Sequence, residues 1–386
     1  MTHPDHILVI DPIAYPGGSK VATRHMLDLL NTGNTKATVV TADPDYWADG
    51  WVKTSPLYEP QFLAHREQGP LYFLKHLVIV LSILYVRVRW GKFQFALGAS
   101  GPGVDLSLYL VKKILPFKLI QIIHGPVAKS RTIARALSAA DAIFYLESTR
   151  ESLVSTLTTR NSRTKALQLL DDARFELFTN GLPPGQWPTK NKAESPTIFW
   201  AASLLKWKGL DLLLRALKQI PPAIRPKSHI CYIRPRATRQ AVSQAPVALD
   251  KASWHGSPGH LDGIRAQCNI FVSTSEQEPF GLSILEAMAA NHCILIPQDG
   301  AYWDTILQHG INCIKYRPGD ANDLAGKLLS LSRSIKRITS LGSAAGVVAL
   351  DYQTQTQYAH IKKAFEASMN SADIDQSQQS VVKVKE

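Results

Sequence analysis

Short apolar runs rich in β-branched residues alternate along the chain with longer segments in which apolar positions recur every three or four residues. The short runs predict buried strands, and the longer segments predict helices. In the first half of the chain, strands are predicted at 7–10, 37–41, 93–97, 119–123 and 142–146, and helices at 21–30 and 131–139. This alternation is typical of parallel sheets covered by helices on both faces.

A stretch dense in turn-forming residues, 180–188, interrupts the alternation and predicts a domain boundary. Beyond it, strands are predicted at 197–201, 229–233, 269–273 and 293–297, and helices at 209–219, 281–290 and 358–368. A chain of 386 residues is also longer than one hydrophobic core usually supports. We therefore predict a first domain at 1–182, a hinge at 183–196, a second domain at 197–345, C-terminal helices at 346–369 that pack back toward the first domain, and a polar, disordered tail at 370–386.

The segment 71–90 is apolar over nearly all its length and allows two interpretations. Its uncharged run, 77–86, is about half as long as a bilayer span requires, so we do not predict a transmembrane helix. Lys75, Ser82 and Arg89 recur every seven residues and therefore lie on one stripe of a helix. The segment is either a buried helix with one solvent-exposed edge or an interfacial helix on anionic lipid. Basic residues favour the second interpretation: Arg87, Arg89, Lys92, Lys112, Lys113 and Lys118.

The net charge limits the classes of binding partner without identifying one, and the cysteine content indicates the redox compartment. The formal net charge of +12 attracts anions in general, including nucleotides, nucleic acids, anionic lipids and phosphorylated acceptors. A nucleic-acid-binding protein is disfavoured because the basic residues are scattered and the sequence contains no aromatic-basic module. The four cysteines have no metal-ligand spacing, which indicates buried thiols in a reducing compartment. The N-terminus has no basic region followed by an apolar one, so we expect a cytoplasmic protein.

The segment 269–298 carries the most specific chemical pattern. A predicted strand ends at 273–275, a short polar loop follows, and a helix begins near Gly281. Ligands of parallel sheets bind beyond the carboxyl ends of the strands, and the free N–H groups of a helix N-terminus attract anions. Four backbone amides are therefore predicted to bind a phosphate, those of Phe280, Gly281, Leu282 and Ser283.

Two carboxylates flank this predicted anion site, Glu278 in the loop and Glu286 about one turn into the helix. Carboxylates accept paired hydrogen bonds from sugar or ribose hydroxyls. The twelve residues that begin at Glu278, EPFGLSILEAMA, closely resemble the donor-binding motif of the retaining glycosyltransferases of family 4, the group 1 glycosyltransferases of GT-B fold. The resemblance extends more weakly over nearly the whole folded chain. It implies an α/β protein of GT-B fold, with two Rossmann-like domains whose parallel sheets face each other across a cleft.

In the second domain, the resemblance implies a basic contact to the donor diphosphate. Lys208, followed by Gly209, corresponds to the family's phosphate-binding lysine. Ser203 stands where the family has an arginine, and Lys206 is the neighbouring residue that could compensate for it. Lys206 and Lys208 are therefore expected in the donor site.

In the first domain, Gly17 and Gly18 follow the first strand and correspond to a family Gly-Gly loop near the donor phosphate and the acceptor. His124 corresponds to a histidine near the transferred sugar, although a lone histidine at a strand end is more often structural. The resemblance implies that His124, Glu278 and Lys208 are catalytic.

These features predict a metal-independent, retaining glycosyltransferase that moves a sugar from a nucleotide-sugar donor to a glycan or lipid-linked acceptor, as in polysaccharide or lipopolysaccharide assembly. No cofactor is expected beyond the nucleotide-sugar co-substrate. The positive charge and the segment 71–90 favour peripheral contact with the inner face of an anionic membrane. The alternatives are a sugar-nucleotide epimerase or a phosphorylase-like enzyme of the same fold, and, because of Ser203, a catalytically inactive relative.

Overall fold

Two α/β units, each built on its own sheet, make up the part of the chain that the computed structural model describes, residues 6–48, 50–64, 66–236 and 238–367. The first unit consists of the residues up to Thr179 and of the residues from Gln357 onward. The second unit is Asn180–Thr356. The predicted class, α/β with two parallel sheets, is confirmed. The tail predicted at 370–386 lies outside the described residues.

The first unit contains seven strands and eight helices before residue 180, among the residues that the structure describes. The strands are β1 (His6–Asp11), β2 (Lys36–Thr41), β3 (Val52–Pro56), β4 (Phe95–Gly98), β5 (Lys118–Ile123), β6 (Ala142–Tyr145) and β7 (Phe175–Leu177). The helices are α1 (Gly18–Leu30), α2 (Pro44–Trp47), α3 (Gln61–Ala64), α4 (Gly69–Trp90), α5 (Leu106–Val111), α6 (Arg131–Leu137), α7 (Arg150–Leu157) and α8 (Arg163–Leu170). All strands are parallel, in the order β3-β2-β1-β4-β5-β6-β7.

The second unit repeats this plan with six strands. They are β8 (Thr197–Ser203), β9 (Lys227–Ile233), β10 (Ala252–Gly256), β11 (Ile270–Val272), β12 (Cys293–Pro297) and β13 (Ile314–Tyr316). The helices are α9 (Leu210–Gln219), α10 (Leu261–Arg265), α11 (Leu282–Ala289), α12 (Tyr302–Ile306), α13 (Ala321–Ser332), α14 (Ile335–Ala349) and α15 (Thr354–Gln357). The strands are parallel, in the order β10-β9-β8-β11-β12-β13. A last helix, α16 (359–367), belongs to the first unit.

The strand order reverses at one place in each sheet, between β1 and β4 in the first and between β8 and β11 in the second. At such a reversal the helices leave the sheet toward opposite faces, which opens a crevice beyond the carboxyl ends of the two strands. Ile198 of β8 pairs with Ile270 of β11, so the two strands are neighbours. The segments that follow them, which contain Lys208 and Glu278, therefore emerge side by side.

The interval predicted for C-terminal helices, 346–369, begins inside α14, and the chain passes to the first unit only at Gln357. The reason is a close contact within the second unit. α14 lies against the turn after α11, where Asn291 has a left-handed backbone with φ of 60°. A Cβ atom on Gly342 would lie 2.1 Å from the Asn291 carbonyl oxygen. Glycine therefore allows this approach of helix and turn.

Gly342→Ala is expected to destabilise the second unit by roughly 2–4 kcal/mol, because a backbone oxygen cannot move aside as a side chain can. Gly326→Ala is the matched control, since Gly326 also lies within a helix and a Cβ there meets no atom within 4 Å. That control should be neutral, or stabilising by about 0.5–1 kcal/mol through helix propensity. Denaturant unfolding of both variants measures the difference. Equal free energies of unfolding would contradict the close-contact argument.

Helix α4 differs from the interpretation of a buried helix with one solvent-exposed edge. The stripe predicted to be exposed is largely covered. Ser82 is buried and accepts a hydrogen bond from the Tyr58 N–H (2.9 Å), and the Lys75 ammonium lies 3.8 Å from Glu59. Only Arg89 of that stripe is exposed. The solvent-facing side of α4 is instead apolar, because the segment around α3 packs over the polar edge.

The four cysteines, Cys231, Cys268, Cys293 and Cys313, are free and buried, which confirms the prediction of core thiols. Burial raises the pKa of each thiol, to about 12 for Cys231, so these groups remain protonated and unreactive at neutral pH.

Candidate functional site

The start of α11 has the geometry of an anion site. Gly281 precedes the helix with φ of 81°, a conformation that side chains rarely adopt, and a Cβ there would lie 3.0 Å from the Glu278 Cγ. The first hydrogen bond from within the helix is that of the Ile284 N–H to the Gly281 carbonyl (3.0 Å). The N–H groups of Leu282 and Ser283 precede it and are available to a ligand.

Phe280, the residue before this turn, is an anchor. Its buried ring packs against Tyr302, Trp303 and Tyr352, with ring centroids 5.0, 5.2 and 6.2 Å away. Aromatic packing of this extent holds the loop in one conformation before any ligand binds. Only the backbone amide of Phe280 is left to contribute to an anion site.

Lys208 and Glu278, seventy positions apart in the sequence, form an ion pair at the mouth of this turn. The Lys208 Nζ lies 2.5 Å from the Glu278 Oε2, and both side chains are largely buried, 18 % and 14 % exposed. The Lys208 ammonium also lies 4.0 Å from the centroid of the Trp207 ring, a cation–π contact. The pair places one positive and one negative group beside the free amides of α11.

Gly209 brings Lys208 to that position. It adopts a left-handed conformation with φ of 74°, and a Cβ atom there would lie 2.0 Å from the Thr274 carbonyl oxygen. Hydrogen bonds connect the same two segments. The Trp200 indole N–H donates to the Thr274 hydroxyl (3.0 Å), which donates to the Lys208 carbonyl (2.9 Å). The turn after β8 is thereby held against the carboxyl end of β11.

Glu286 has a different partner from Glu278. The Glu286 Oε2 lies 2.5 Å from one guanidinium nitrogen of Arg265. The other terminal guanidinium nitrogen lies 3.0 Å from the Asp262 carboxylate. Burial raises the pKa of Glu286, and the Arg265 charge opposes this increase. Arg265 is itself buried, with a side chain 6 % exposed. It holds Glu286 in place through one carboxylate oxygen, which leaves the other for a ligand hydroxyl.

Arg265 was not predicted as a site residue. A buried arginine is rarely found without a paired acid, and Arg265 ends a short helix in front of the strand β11. Its position there gave a weak indication of an ion pair but not of the partner. Glu286 follows it by 21 residues, and only the tertiary fold brings the two side chains together.

Lys206 is paired with a different carboxylate from Lys208. Its ammonium lies 2.7 Å from the Asp211 carboxylate, and its side chain is 55 % exposed. Asp211 also accepts a hydrogen bond from the Ser243 hydroxyl (3.0 Å). Ser203, where the resembling family has an arginine, ends β8 without a charge. In this structure Lys208 is therefore the cation that lies beside Glu278.

A small cavity lies beyond the carboxyl ends of β11 and β12 and is lined by acidic and polar groups that include Ser275, Glu278, Asp299 and Asp304. Asp304 is fixed by the Lys315 ammonium at 2.8 Å and by the Gly300 N–H at 2.7 Å. The buried Trp303 indole nitrogen, on the same wall, has no hydrogen-bond partner among the described residues. The carboxylates of this wall can accept hydrogen bonds from hydroxyl groups.

The remaining predicted residues, Gly17, Gly18 and His124, belong to the first unit. Gly17 and Gly18 lie at the start of α1, after β1, and His124 follows β5. The nearby Asp43 precedes α2 and is paired with the buried Lys20 at 2.8 Å. Within the described ranges, no group of three or more His, Cys, Asp and Glu side chains is arranged to hold a metal ion.

His124 is a neutral imidazole. Its ring packs edge-on against Phe178 at 5.4 Å, and neither ring nitrogen has a hydrogen-bond partner among the described residues. Burial lowers the pKa of His124 to about 4, so the ring is uncharged near neutral pH. A neutral imidazole has one donor and one acceptor, and in His124 both ring nitrogens are buried.

The lowered pKa of His124 predicts a pH-dependent stability difference between the wild type and His124→Gln. Above about pH 6.5 the ring is neutral in both the folded and the unfolded chain. Between about pH 6.5 and pH 4 only the unfolded chain binds the proton, so acidification favours unfolding of the wild type alone. The wild type should lose roughly 3 kcal/mol relative to the variant over that range. Denaturant unfolding at a series of pH values measures this, and a difference that stays constant would contradict the burial of a neutral ring.

Comparisons with known proteins bear on the second unit and on the whole fold. Residues 195–334 match the family model described as glycosyl transferases group 1. This confirms the resemblance in the region that contains Lys208, Glu278, Gly281 and Glu286. By sequence alone, the chain matches no curated protein.

Solved structures show the same fold over almost the entire chain. HepE from Anabaena, in complex with UDP-glucose, is 16 % identical, with 94 % of this chain and 99 % of that chain covered and a TM-score of 0.69. Sucrose-phosphate synthase from Thermosynechococcus elongatus is 15 % identical, with 95 % and 100 % covered and a TM-score of 0.70. The lipopolysaccharide outer core galactosyltransferase WaaB is 13 % identical, with 95 % and 99 % covered and a TM-score of 0.61. The predicted GT-B class, with two Rossmann-like units, is confirmed.

Proposed function

We propose that this chain, whose residues 195–334 match the family model described as glycosyl transferases group 1, transfers a sugar from a nucleotide-sugar donor to a glycan or lipid-linked acceptor with retention of anomeric configuration. The observation that supports this most directly is the Lys208–Glu278 pair at the start of α11. A diphosphate needs positive charge and N–H donors, and a sugar needs acceptors for its hydroxyl groups. Both requirements are met within one short loop.

In the proposed donor complex, the diphosphate binds the N–H groups of Leu282 and Ser283 and displaces the Lys208 ammonium from Glu278. Lys208 then neutralises the charge that grows on the leaving diphosphate as the glycosidic bond breaks. Glu278, released from its ion pair, accepts hydrogen bonds from hydroxyl groups of the transferred sugar. Without a ligand, Lys208 and Glu278 are therefore paired with each other. In the donor complex the pair separates, and each side chain binds a different part of the donor.

Glu286 is proposed to bind the ribose. Arg265 orients Glu286 and opposes the increase in its pKa that burial causes. An ionised carboxylate accepts hydrogen bonds from a ribose diol more strongly than a protonated one. Lys208 and the amides of α11 neutralise the diphosphate in this proposal, so it includes no metal.

The first unit is proposed to bind the acceptor, with Gly17, Gly18 and the neutral His124 at the ends of its strands. The acceptor class is proposed from the positive charge and the apolar segment 71–90. Names of similar structures, such as the lipopolysaccharide galactosyltransferase WaaB, are compatible with a surface polysaccharide or lipopolysaccharide intermediate. In retention, the leaving phosphate is proposed to take the acceptor proton.

A thermal-shift screen against UDP, GDP, ADP and CMP tests the donor class. UDP is the first nucleotide to try, because similar structures were solved with it. One nucleotide should raise the melting temperature well above the others. The matching nucleotide-sugar should then lose its sugar only when an acceptor is present. Conversion of the donor without an acceptor would instead indicate an epimerase.

Replacing Glu286 by alanine is expected to weaken binding of that nucleotide by about tenfold or more. The wild type should bind the nucleotide more tightly than its 2′-deoxy analogue, and Glu286→Ala should bind the two equally. Asp262→Asn, which changes a second acidic neighbour of Arg265, should keep the preference for ribose. Calorimetric titration measures all of these. If Glu286→Ala kept the wild-type preference, the ribose assignment would be wrong.

A further inference from the structure

Helix α4 presents an apolar face to solvent. Phe73, Leu77, Leu81, Tyr85 and Val88, together with Leu74, follow one another at intervals of three or four residues and therefore lie on one side of the helix. All six are exposed, and Leu81 is 60 % and Val88 87 % exposed. We call these six residues the outer face of α4. A soluble protein usually covers such a row of large apolar side chains.

The segment before α4 extends this surface. Tyr58 and Phe62 are 66 % and 67 % exposed. The Tyr58 N–H donates to Ser82, which places residue 58 beside the helix. The surface therefore consists of the outer face of α4 and two aromatic rings that flank it, and it is formed entirely by the first unit.

The opposite side of α4 belongs to the core of the first unit. Ile79, Ile83 and Val86 are at most 1 % exposed and pack with residues of the sheet and of α5. Among the described residues, α4 is the helix with the length and hydropathy of a membrane span, 22 residues with a mean hydropathy of 1.8. To cross a bilayer, it would have to leave this core. Its buried side therefore favours a helix that lies on a membrane surface over one that crosses it.

Helix α4 and the residues that follow it contain basic but no acidic side chains, and the acidic Glu59 beside the helix is paired with Lys75. From Gln68 to Val104 the sequence contains no acidic residue, but it contains Lys75, Arg87, Arg89 and Lys92. Arg89 and Lys92 are exposed at the carboxyl end of the helix. An apolar face with a basic end matches the boundary of an anionic bilayer, where acyl chains lie beneath negative headgroups. A second copy of the chain would bring the same exposed basic residues, Arg89 and Lys92, to the contact.

We propose that the outer face of α4, with Tyr58 and Phe62, seats the first unit on the surface of an anionic lipid bilayer. The helix lies parallel to the membrane, its apolar side chains enter the acyl region, and Arg89 and Lys92 contact the headgroups. The inference does not depend on the proposed transferase activity, because membrane binding is measured without donor or acceptor.

Flotation of the purified full chain with lipid vesicles tests the proposal. The wild type should float with phosphatidylcholine vesicles that contain phosphatidylglycerol, and far less with phosphatidylcholine alone. Added salt should weaken the binding, because the headgroup contacts are screened. If the chain floated with neither vesicle, the proposal would be overturned.

The apolar contribution is tested by the triple variant Leu77→Gln/Leu81→Gln/Val88→Gln. These exposed positions support no core packing, so the variant should fold, and its affinity for anionic vesicles should fall by about tenfold or more. The matched control is Ile311→Gln/Val347→Gln/Leu350→Gln, three exposed apolar residues of the second unit. The control should change binding by less than about twofold. Equal binding by the triple variant and the wild type would overturn the proposal.

A label at Leu81 distinguishes lipid contact from self-association. Because all four native cysteines are buried, Leu81→Cys can be labelled selectively with an environment-sensitive dye, and Leu350→Cys serves as the control position. Emission from position 81 should shift to shorter wavelength on anionic vesicles, and emission from position 350 should not. A wild type that is dimeric without vesicles, with a monomeric triple variant, would identify the face as a dimer interface and overturn the proposal.

Discussion

Replacing Lys208 by alanine is expected to reduce kcat for sugar transfer by about 10²–10³-fold, the effect typical of removing a group that stabilises transition-state charge. The expected effect is large because Ser203 carries no charge and Lys206 is paired with Asp211. Removal of Lys208 also leaves the Glu278 carboxylate unpaired beside the diphosphate. Donor affinity should fall less than kcat, since the amides of α11 still hold the phosphates.

Lys206→Ala is the matched control for Lys208→Ala, because it removes the same charge two residues away from a largely exposed side chain. It should lower kcat by less than about threefold. The double variant Lys208→Ala/Glu278→Gln should recover donor affinity relative to Lys208→Ala but not turnover. Steady-state kinetics with the identified donor, together with titration of the nucleotide, separate these effects. If Lys208→Ala transferred sugar at the wild-type rate, the assignment of Lys208 would be wrong.

Gly209→Ala is expected to destabilise the second unit by roughly 3–4 kcal/mol and to abolish transfer in whatever protein remains folded. Two penalties combine at this position. Alanine disfavours the left-handed backbone, and its Cβ would lie 2.0 Å from the Thr274 carbonyl oxygen. Relief of that overlap moves the turn after β8 away from β11, and with it Lys208 away from Glu278.

Gly319→Ala separates the two penalties. Gly319 has nearly the same left-handed φ, 72°, but a Cβ there meets no atom within 4 Å. Gly319→Ala should lower the free energy of unfolding only by the backbone strain, about 1 kcal/mol, and should leave activity unchanged. Denaturant unfolding and the transfer assay on the same preparations provide the comparison. A Gly209→Ala protein as stable and active as Gly319→Ala would contradict the role of the close approach.

The inner strands of both sheets were predicted from the sequence, whereas the four edge strands, β3, β7, β10 and β13, were not. β1, β5, β8 and β12 are largely buried and therefore consist mainly of apolar residues, although Gln121 interrupts the apolar run of β5. The edge strand β10 (ASWHG) is half-buried and contains polar residues, so its sequence does not differ from that of a loop. An edge strand has a neighbour on one side only, and its composition reflects this.

The interpretation of α4 shows the same limit for helices. The stripe of Lys75, Ser82 and Arg89 was correctly placed on one side of a helix, because periodicity is a local property. Which side faces solvent depends on the segments that pack over it. Here residues 58 and 59 cover the polar edge and leave the apolar side exposed.

The sequence by itself determined the features that depend on neighbours along the chain: the alternation of strands and helices, the turn at Gly281 and the helix start that follows it. Tertiary structure alone decided the contacts that join distant segments. In the folded chain, Lys208 is paired with Glu278, Arg265 with Glu286, and Lys206 with Asp211. The physical reason is the distance along the chain over which each effect acts. Backbone preference and hydrophobic periodicity act over one or two turns, whereas an ion pair depends on which strands lie side by side after the sheet has formed.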